Sequence, residues 1–333
     1  MRTYITMASA AALSVGLAAA APAMADMFLF STGNPDGKLG SLSAPANSKP
    51  ETETADDFVL TDATVISKAK IHGLIPSGSD VSSIQQVEVE IYHVFPKDSD
   101  TGRTTGPPVF ATPKVVTRVN SPSDVEIAAA TRDAAASPAT LSFAATLVKN
   151  GVMAVMNTVV DGINPKPQFT GGEGPATGEE VEIDITFTPP IFLPTDHYFF
   201  RPEVAVSGGN FLYLSAPRPI VPPGTPFPAG FTDLQSWIRN TNLKPDWSRI
   251  GTDIISTPQV MVTFNAAFSL AGDTIPNAGT PGRPNCHGQT ISAMARQFGG
   301  IAHAAMSLGY FSVDALQQGV SVFCLEPGGT ALR

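Results

Sequence analysis

The chain has 333 residues, and its 20 basic against 29 acidic side chains give a formal charge of −9 at pH 7. No cluster of Lys or Arg offsets that sign locally, so nucleic acid is excluded as an expected partner. Only 15% of residues are charged, while 29 are Gly and 30 are Pro, which disfavours a helical protein and predicts many short strands joined by rigid turns.

Residues 1–25 read as a secretory signal. Arg2 supplies the positive end, Ile5 to Ala21 are almost wholly small or apolar, and Ala23-Met24-Ala25 fits the A-x-A cleavage pattern. Cleavage after Ala25 would send the product to the periplasm or the medium and make it more acidic by the loss of Arg2. No later stretch is apolar and long enough to span a bilayer. Residues 26–50 are expected to form an arm with one short strand, because the turn-rich Gly33-Asn34-Pro35-Asp36-Gly37 follows Phe28-Leu29-Phe30. Ala55–Leu60, Val65–Ile75 and Val87–His93 are then strands. In the last of these, Val87, Val89, Ile91 and His93 alternate with Glu88, Glu90 and Tyr92, and Pro96 closes the strand.

The words Ala55-Asp56-Asp57-Phe58, Val65–Leu74 and Val87–Tyr92 resemble the start of jelly-roll-like modules in exported bacterial proteins of unassigned function. The resemblance implies a fold and an address, and no chemistry. Further along, Val115–Val119 is expected to be a strand, the Ala-rich run 127–139 breaks the alternation, and Leu141, Phe143, Ala145 and Leu147 restore it. Val152, Val155, Met156, Val159 and Val160 fall at helical spacing and predict a short helix. The densest strand signal is Glu179–Phe187, where Val181, Ile183, Ile185 and Phe187 alternate with Glu182, Asp184 and Thr186. Pro189, Pro190 and Pro194 are expected to stop it. With Tyr198–Val206 and Phe211–Leu214 it would form an antiparallel meander. Thr232 and Gln235 match a capping box opening a helix that carries Trp237, and Gln259–Leu270 predicts the last strand.

Residues 271–285 have the composition of a linker. Beyond it, Ile291, Met294 and Phe298, then Ile301, Ala305 and Leu308, then Val313, Leu316, Val320 and Phe323 are spaced for three helix faces separated by glycines. Cys286 and Cys324, the only cysteines, bracket this unit, and an oxidising address makes a disulfide between them the default. The words Cys286-His287-Gly288, Gln297-Phe298-Gly299-Gly300 and Leu308-Gly309-Tyr310 resemble a C-terminal module of exported proteins of soil bacteria. The expected fold is thus mainly β: an antiparallel, jelly-roll-like β-sandwich at 51–270, then a disulfide-stapled three-helix module at 286–325 and a short tail at 326–333.

Chemistry is sparse in the pattern. Asp98-Ser99-Asp100-Thr101-Gly102 begins like a calcium loop, making Asp98 and Asp100 candidate Ca2+ ligands, but Gly102, Arg103 and Val109 stand where that loop needs Asp or Asn, Gly and Glu. A solvated turn is the simpler reading. Trp237, Asp246 and Trp247, beside Arg239, Arg249 and Asp253, have the residue types of a sugar site: flat aromatic faces with groups that bind hydroxyls. A helix laid across the end of a sandwich would equally bury those indoles. The sequence carries no G-x-S-x-G, H-E-x-x-H or Walker motif. His72, His93, His197, His287 and His303 are scattered, although His93 and His197 could meet across the sheet. Asp56-Asp57 and Glu179-Glu180 are adjacent on strands and should point to opposite faces. The pattern favours a non-enzymatic binding or structural protein without cofactor, its partner an extracellular glycan or protein; the alternative is a secreted carbohydrate-active hydrolase or glycan-binding module.

Overall fold

The computed structural model describes residues 27–46, 49–102, 119–163, 170–257 and 259–325. The expected signal segment, the strand expected at Val115–Val119 apart from Val119, positions 103 and 109 of the loop considered for calcium, and the tail lie outside them.

Fifteen strands are described: β1 Met27–Ser31, β2 Leu39–Leu42, β3 Thr52–Leu60, β4 Thr64–Pro76, β5 Ile84–His93, β6 Arg132–Asp133, β7 Leu141–Val155, β8 Asn157–Val159, β9 Ala176–Leu193, β10 Asp196–Val206, β11 Leu212–Ala216, β12 Trp237–Asn240, β13 Ser248–Arg249, β14 Asn265–Ala266 and β15 Phe268–Thr274. They make a nine-stranded and a six-stranded sheet. The first runs β1-β15-β4-β11-β2-β8, with β9 pairing both β4 and β7, and β14 pairing β11; the second runs β13-β12-β3-β10-β5-β6. Apart from the parallel β2–β8 pair, the ladders are antiparallel. Alternation explains the core: Val181, Ile183 and Ile185 from one sheet and Phe58, Val89, Ile91 and Phe200 from the other fall in a single buried cluster.

The expected meander does not form. Strand β9 pairs with β4 and β7, β10 with β3 and β5, and β11 with β2, β4 and β14, so the chain changes sheets at each of the two connections. Pro189 and Pro190 do not end β9, which runs on to Leu193 and stops before Pro194. Between Ile66↔Ile191 and Lys68↔Thr186 the β4–β9 register shifts, and Pro189 and Pro190 sit in that irregularity, where no ladder donor is needed.

The helix expected at 152–160 is strand. Val152 and Val155 pair with Glu179 and Ala176, and Val159 pairs with Ser41. The helical spacing joined two strands across a bend at Met156; Val152 and Met156 are exposed while Val155 and Val159 are buried, so these residues share no face. The capping box also fails. Gln235 turns its amide to Thr252, donating to Oγ1 at 2.7 Å, and Trp237 opens β12. The arm at 26–50 is part of the large sheet, through β1 on β15 and β2 on β11. The last strand begins later than expected and runs to Thr274, into the segment read as linker.

Three helices follow: α1 Cys286–Phe298, α2 Ile301–Ser307 and α3 Val313–Leu325. Gly299 ends α1 in the left-handed region (φ 71°), and Ser312 Oγ accepts the Ala315 N–H at 3.0 Å to cap α3. Cys286 and Cys324 are disulfide-bonded, with their Cα atoms 5.7 Å apart. Met294, Ala305, Leu316, Val320 and Phe323 pack in one cluster with Val65 and Phe192 of the large sheet, so the helical unit is docked. Among the described residues no helix is long and apolar enough to cross a membrane.

Candidate functional site

The antiparallel β5–β10 ladder sets Tyr198 opposite His93, which brings the end of β5 and the start of β10 to the same edge of the six-stranded sheet. The segment Gly230–Leu234 closes one side. The result is a cleft of 520 Å³ whose walls include Phe95, Lys97, Asp196, His197, Phe231 and Leu234.

His197 Nε2 lies 2.5 Å from Asp57 Oδ2, which also accepts the N–H of Leu234 at 3.1 Å. Burial is the largest cause of displacement in both groups: it pulls His197 down to about 4 and pushes Asp57 well above the usual carboxylate range. Burial thus disfavours the charged form of both groups. Asp196 accepts the His197 N–H at 2.9 Å through Oδ1 and is ion-paired with Lys97 through Oδ2. His93 Nε2 is 3.8 Å from the same oxygen, and its Nδ1 is 2.5 Å from Asp98. Thus His93 and His197 do reach one edge of the sheet, each beside its own carboxylate. Phe231 meets the His197 ring edge-on at 6.2 Å.

Asp56 faces away from this cleft, accepting the Ala266 N–H at 2.7 Å, as the strand period requires. Of the two residues considered for calcium, Asp98 is committed to His93, and Asp100 Oδ1 accepts the Gly102 N–H at 3.0 Å. Among the described residues no group of three or more His, Cys, Asp or Glu is arranged to hold a metal.

Trp237, Asp246 and Trp247 are all buried, the indoles at 2% exposure. Trp237 and Trp247 pack with Ala55, Tyr92, Phe199 and Leu234. The Arg239 guanidinium lies 4.3 Å from the centre of the Trp247 ring, and Trp247 Nε1 donates to the Ser123 carbonyl at 3.1 Å. A sugar ring has no open indole face here to stack on. Arg239 ties Trp247 to a buried charge network carried by β3, β5, β10 and β12. Arg201 lies 2.9 Å from Glu90 and 2.7 Å from Glu203, Arg239 Nε donates to Glu53 at 2.7 Å, and Lys244 lies 2.6 Å from Glu53. Glu90 is only 9% exposed. Burial pushes Glu203 and Glu88, directly opposite one another across the ladder, up to about 7. Arg201 opposes that shift but is shared with Glu53 and Glu90.

Pattern reading missed Lys97, Asp196, Arg201 and Glu203. Their only signal is charge inside runs that are otherwise apolar, as in Tyr198-Phe199-Phe200-Arg201-Pro202-Glu203-Val204. Comparison with known protein families, curated proteins and solved structures returns no match.

Proposed function

We propose that this is an exported, non-enzymatic binding protein, its leader removed after Ala25, built as a jelly-roll-like β-sandwich of the kind found in exported bacterial proteins, with the cleft beside His197 as its ligand site. The observation that carries the reading is a polar lining whose charges are paired or disfavoured: Lys97 is ion-paired with Asp196, and His197 lies against Asp57 where burial works against the charged form of each. Such a lining, flanked by Phe95 and Phe231, suits a neutral, hydroxyl-rich ligand, and an extracellular glycan has that chemistry.

Calorimetric titration of the purified protein with neutral gluco-, manno-, galacto- and N-acetylglucosamine oligosaccharides tests it. One class should bind, Phe231→Ala should weaken it at least tenfold, and the sugar should be recovered intact. No binding by any class, or binding indifferent to Phe231→Ala, rejects the site. A carbohydrate-active hydrolase is the second reading, favoured by Glu88 and Glu203, two carboxyls opposed across β5–β10 and both shifted to about 7. Cleaved sugar lost on Glu203→Gln would decide for it.

A further inference from the structure

A second cavity, of 330 Å³, lies between the helical unit and the large sheet. Its walls are mostly apolar, with Pro190, Phe192 and Leu193 from β9 facing Phe311, Ala315 and Val322 from the α3 side. Three polar side chains break this lining: Gln318, which is exposed, and Arg132 and Tyr310, which are both more than nine-tenths buried.

Arg132 has no carboxylate within ion-pair distance among the described residues. Its Nε donates to Pro189 O at 2.8 Å, its Nη1 to Ala129 O and Thr131 O at 2.9 and 2.8 Å, and its Nη2 to Pro190 O at 3.1 Å. A guanidinium has five N–H groups. Two hold the β9 irregularity and two hold the turn before β6, and one, on Nη2, is left over together with the whole positive charge. Burial lowers Arg132 to about 10, which is how a cation without a counter-ion behaves. Tyr310 is its electrostatic neighbour, and the Tyr310 hydroxyl is buried with no hydrogen-bond partner. The ring is held close against α3 at Gly319, where a Cβ would stand 2.8 Å from the hydroxyl oxygen. Carbonyl clamping accounts for four donors. It leaves unexplained an uncompensated charge, a spare N–H and an orphan O–H, all at one apolar cavity.

We propose that this cavity binds a small monocarboxylic acid with an apolar body, its two carboxylate oxygens taken by Arg132 Nη2 and the Tyr310 hydroxyl. Two donors match two oxygens, one cation matches one negative charge, and the aromatic and aliphatic walls take the body. A cavity of this size sits at the small end of ligand pockets, which limits the body to an aromatic ring or a short chain.

The test is calorimetric titration of the purified protein with 3-phenylpropanoate and octanoate at millimolar concentrations, against 3-phenylpropan-1-ol and octan-1-ol. At least one acid should bind, and roughly tenfold more tightly than its alcohol. Tyr310→Phe removes only a hydroxyl that lacks a partner, so it should leave the melting temperature unchanged while weakening the acid roughly five- to tenfold. No binding by either acid, equal binding of acid and alcohol, or an acid affinity indifferent to Tyr310→Phe would each overturn the proposal.

Discussion

Glu53 and Arg239 face each other in register across the β3–β12 ladder, joined by an Nε-to-carboxylate bond of 2.7 Å. Glu53 is fully buried and also lies 2.6 Å from Lys244 and 3.8 Å from Arg201. One carboxylate thus stands between three cations. Replacing it by Gln keeps the volume and removes the counter-ion, and loss of one partner of a buried pair costs about 3–5 kcal/mol. Urea unfolding of Glu53→Gln should show a loss of that order. The double variant Glu53→Met with Arg239→Met should recover part of it; full additivity would show that the two groups do not interact.

The same face gives stability a defined pH dependence. Burial pushes Glu53 up, but Arg239, Arg201 and Lys244 overcome it and hold the carboxyl at about 2 against an ordinary 4.5. A depressed acid contributes stability above its unfolded value and loses it as pH falls, here between about 4.5 and 2. Glu203 runs the other way, because its folded value is raised to about 7. Its contribution is full below about 4.5 and is lost as pH rises through 7. Glu203→Gln should therefore gain on the wild type between pH 5 and pH 8, by at most on the order of 3 kcal/mol. Parallel melting-temperature profiles for the two proteins across that range would refute the shift.

How much of this was legible in sequence depends on what carries the signal. Val181, Ile183 and Ile185 alternate with Glu182 and Asp184, and β9 buries the first set, half-buries Glu182 and exposes Asp184 because one face meets the other sheet. Leu316, Val320 and Phe323 likewise announce the face of α3. Pairing partners are not local, so nothing in β9 or β10 says that they lie in different sheets. The helix expected at 152–160 failed because a bend at Met156 between two strands mimics a period near 3.6. The candidate site was legible only in part. His93 and His197 were visible as strand histidines, but Lys97, Asp196 and Arg132 acquire meaning from neighbours distant in sequence.

Phe192 of β9 and Phe323 of α3 stack at 4.0 Å with their planes 8° apart, the main aromatic contact between helices and sheet. Truncating a buried Phe costs about 3–5 kcal/mol through lost burial and the cavity left behind. Phe192→Ala should lower the melting temperature and raise amide exchange in 286–325 more than in β3 or β10. Equal acceleration everywhere would mean that helices and sheet unfold as one unit.

The disulfide allows a sharper separation of the same two parts. Cys286 opens α1 and Cys324 lies in the last turn of α3, 38 residues on, so the bridge closes the helical unit on itself without a link to either sheet. In the chain-entropy account a loop of that length is stabilised by roughly 4 kcal/mol, drawn from the unfolded ensemble of the helical segment alone. Three short helices of this size bury little area by themselves, and their remaining support is the cluster shared with Val65 and Phe192. Cys324→Ser should therefore make 286–325 sensitive to limited proteolysis while the two sheets stay protected. Wild-type protein, denatured without reductant, should bind no thiol label. Labelling of both cysteines would contradict the bridge, and uniform digestion of the variant would contradict its confinement to the helices.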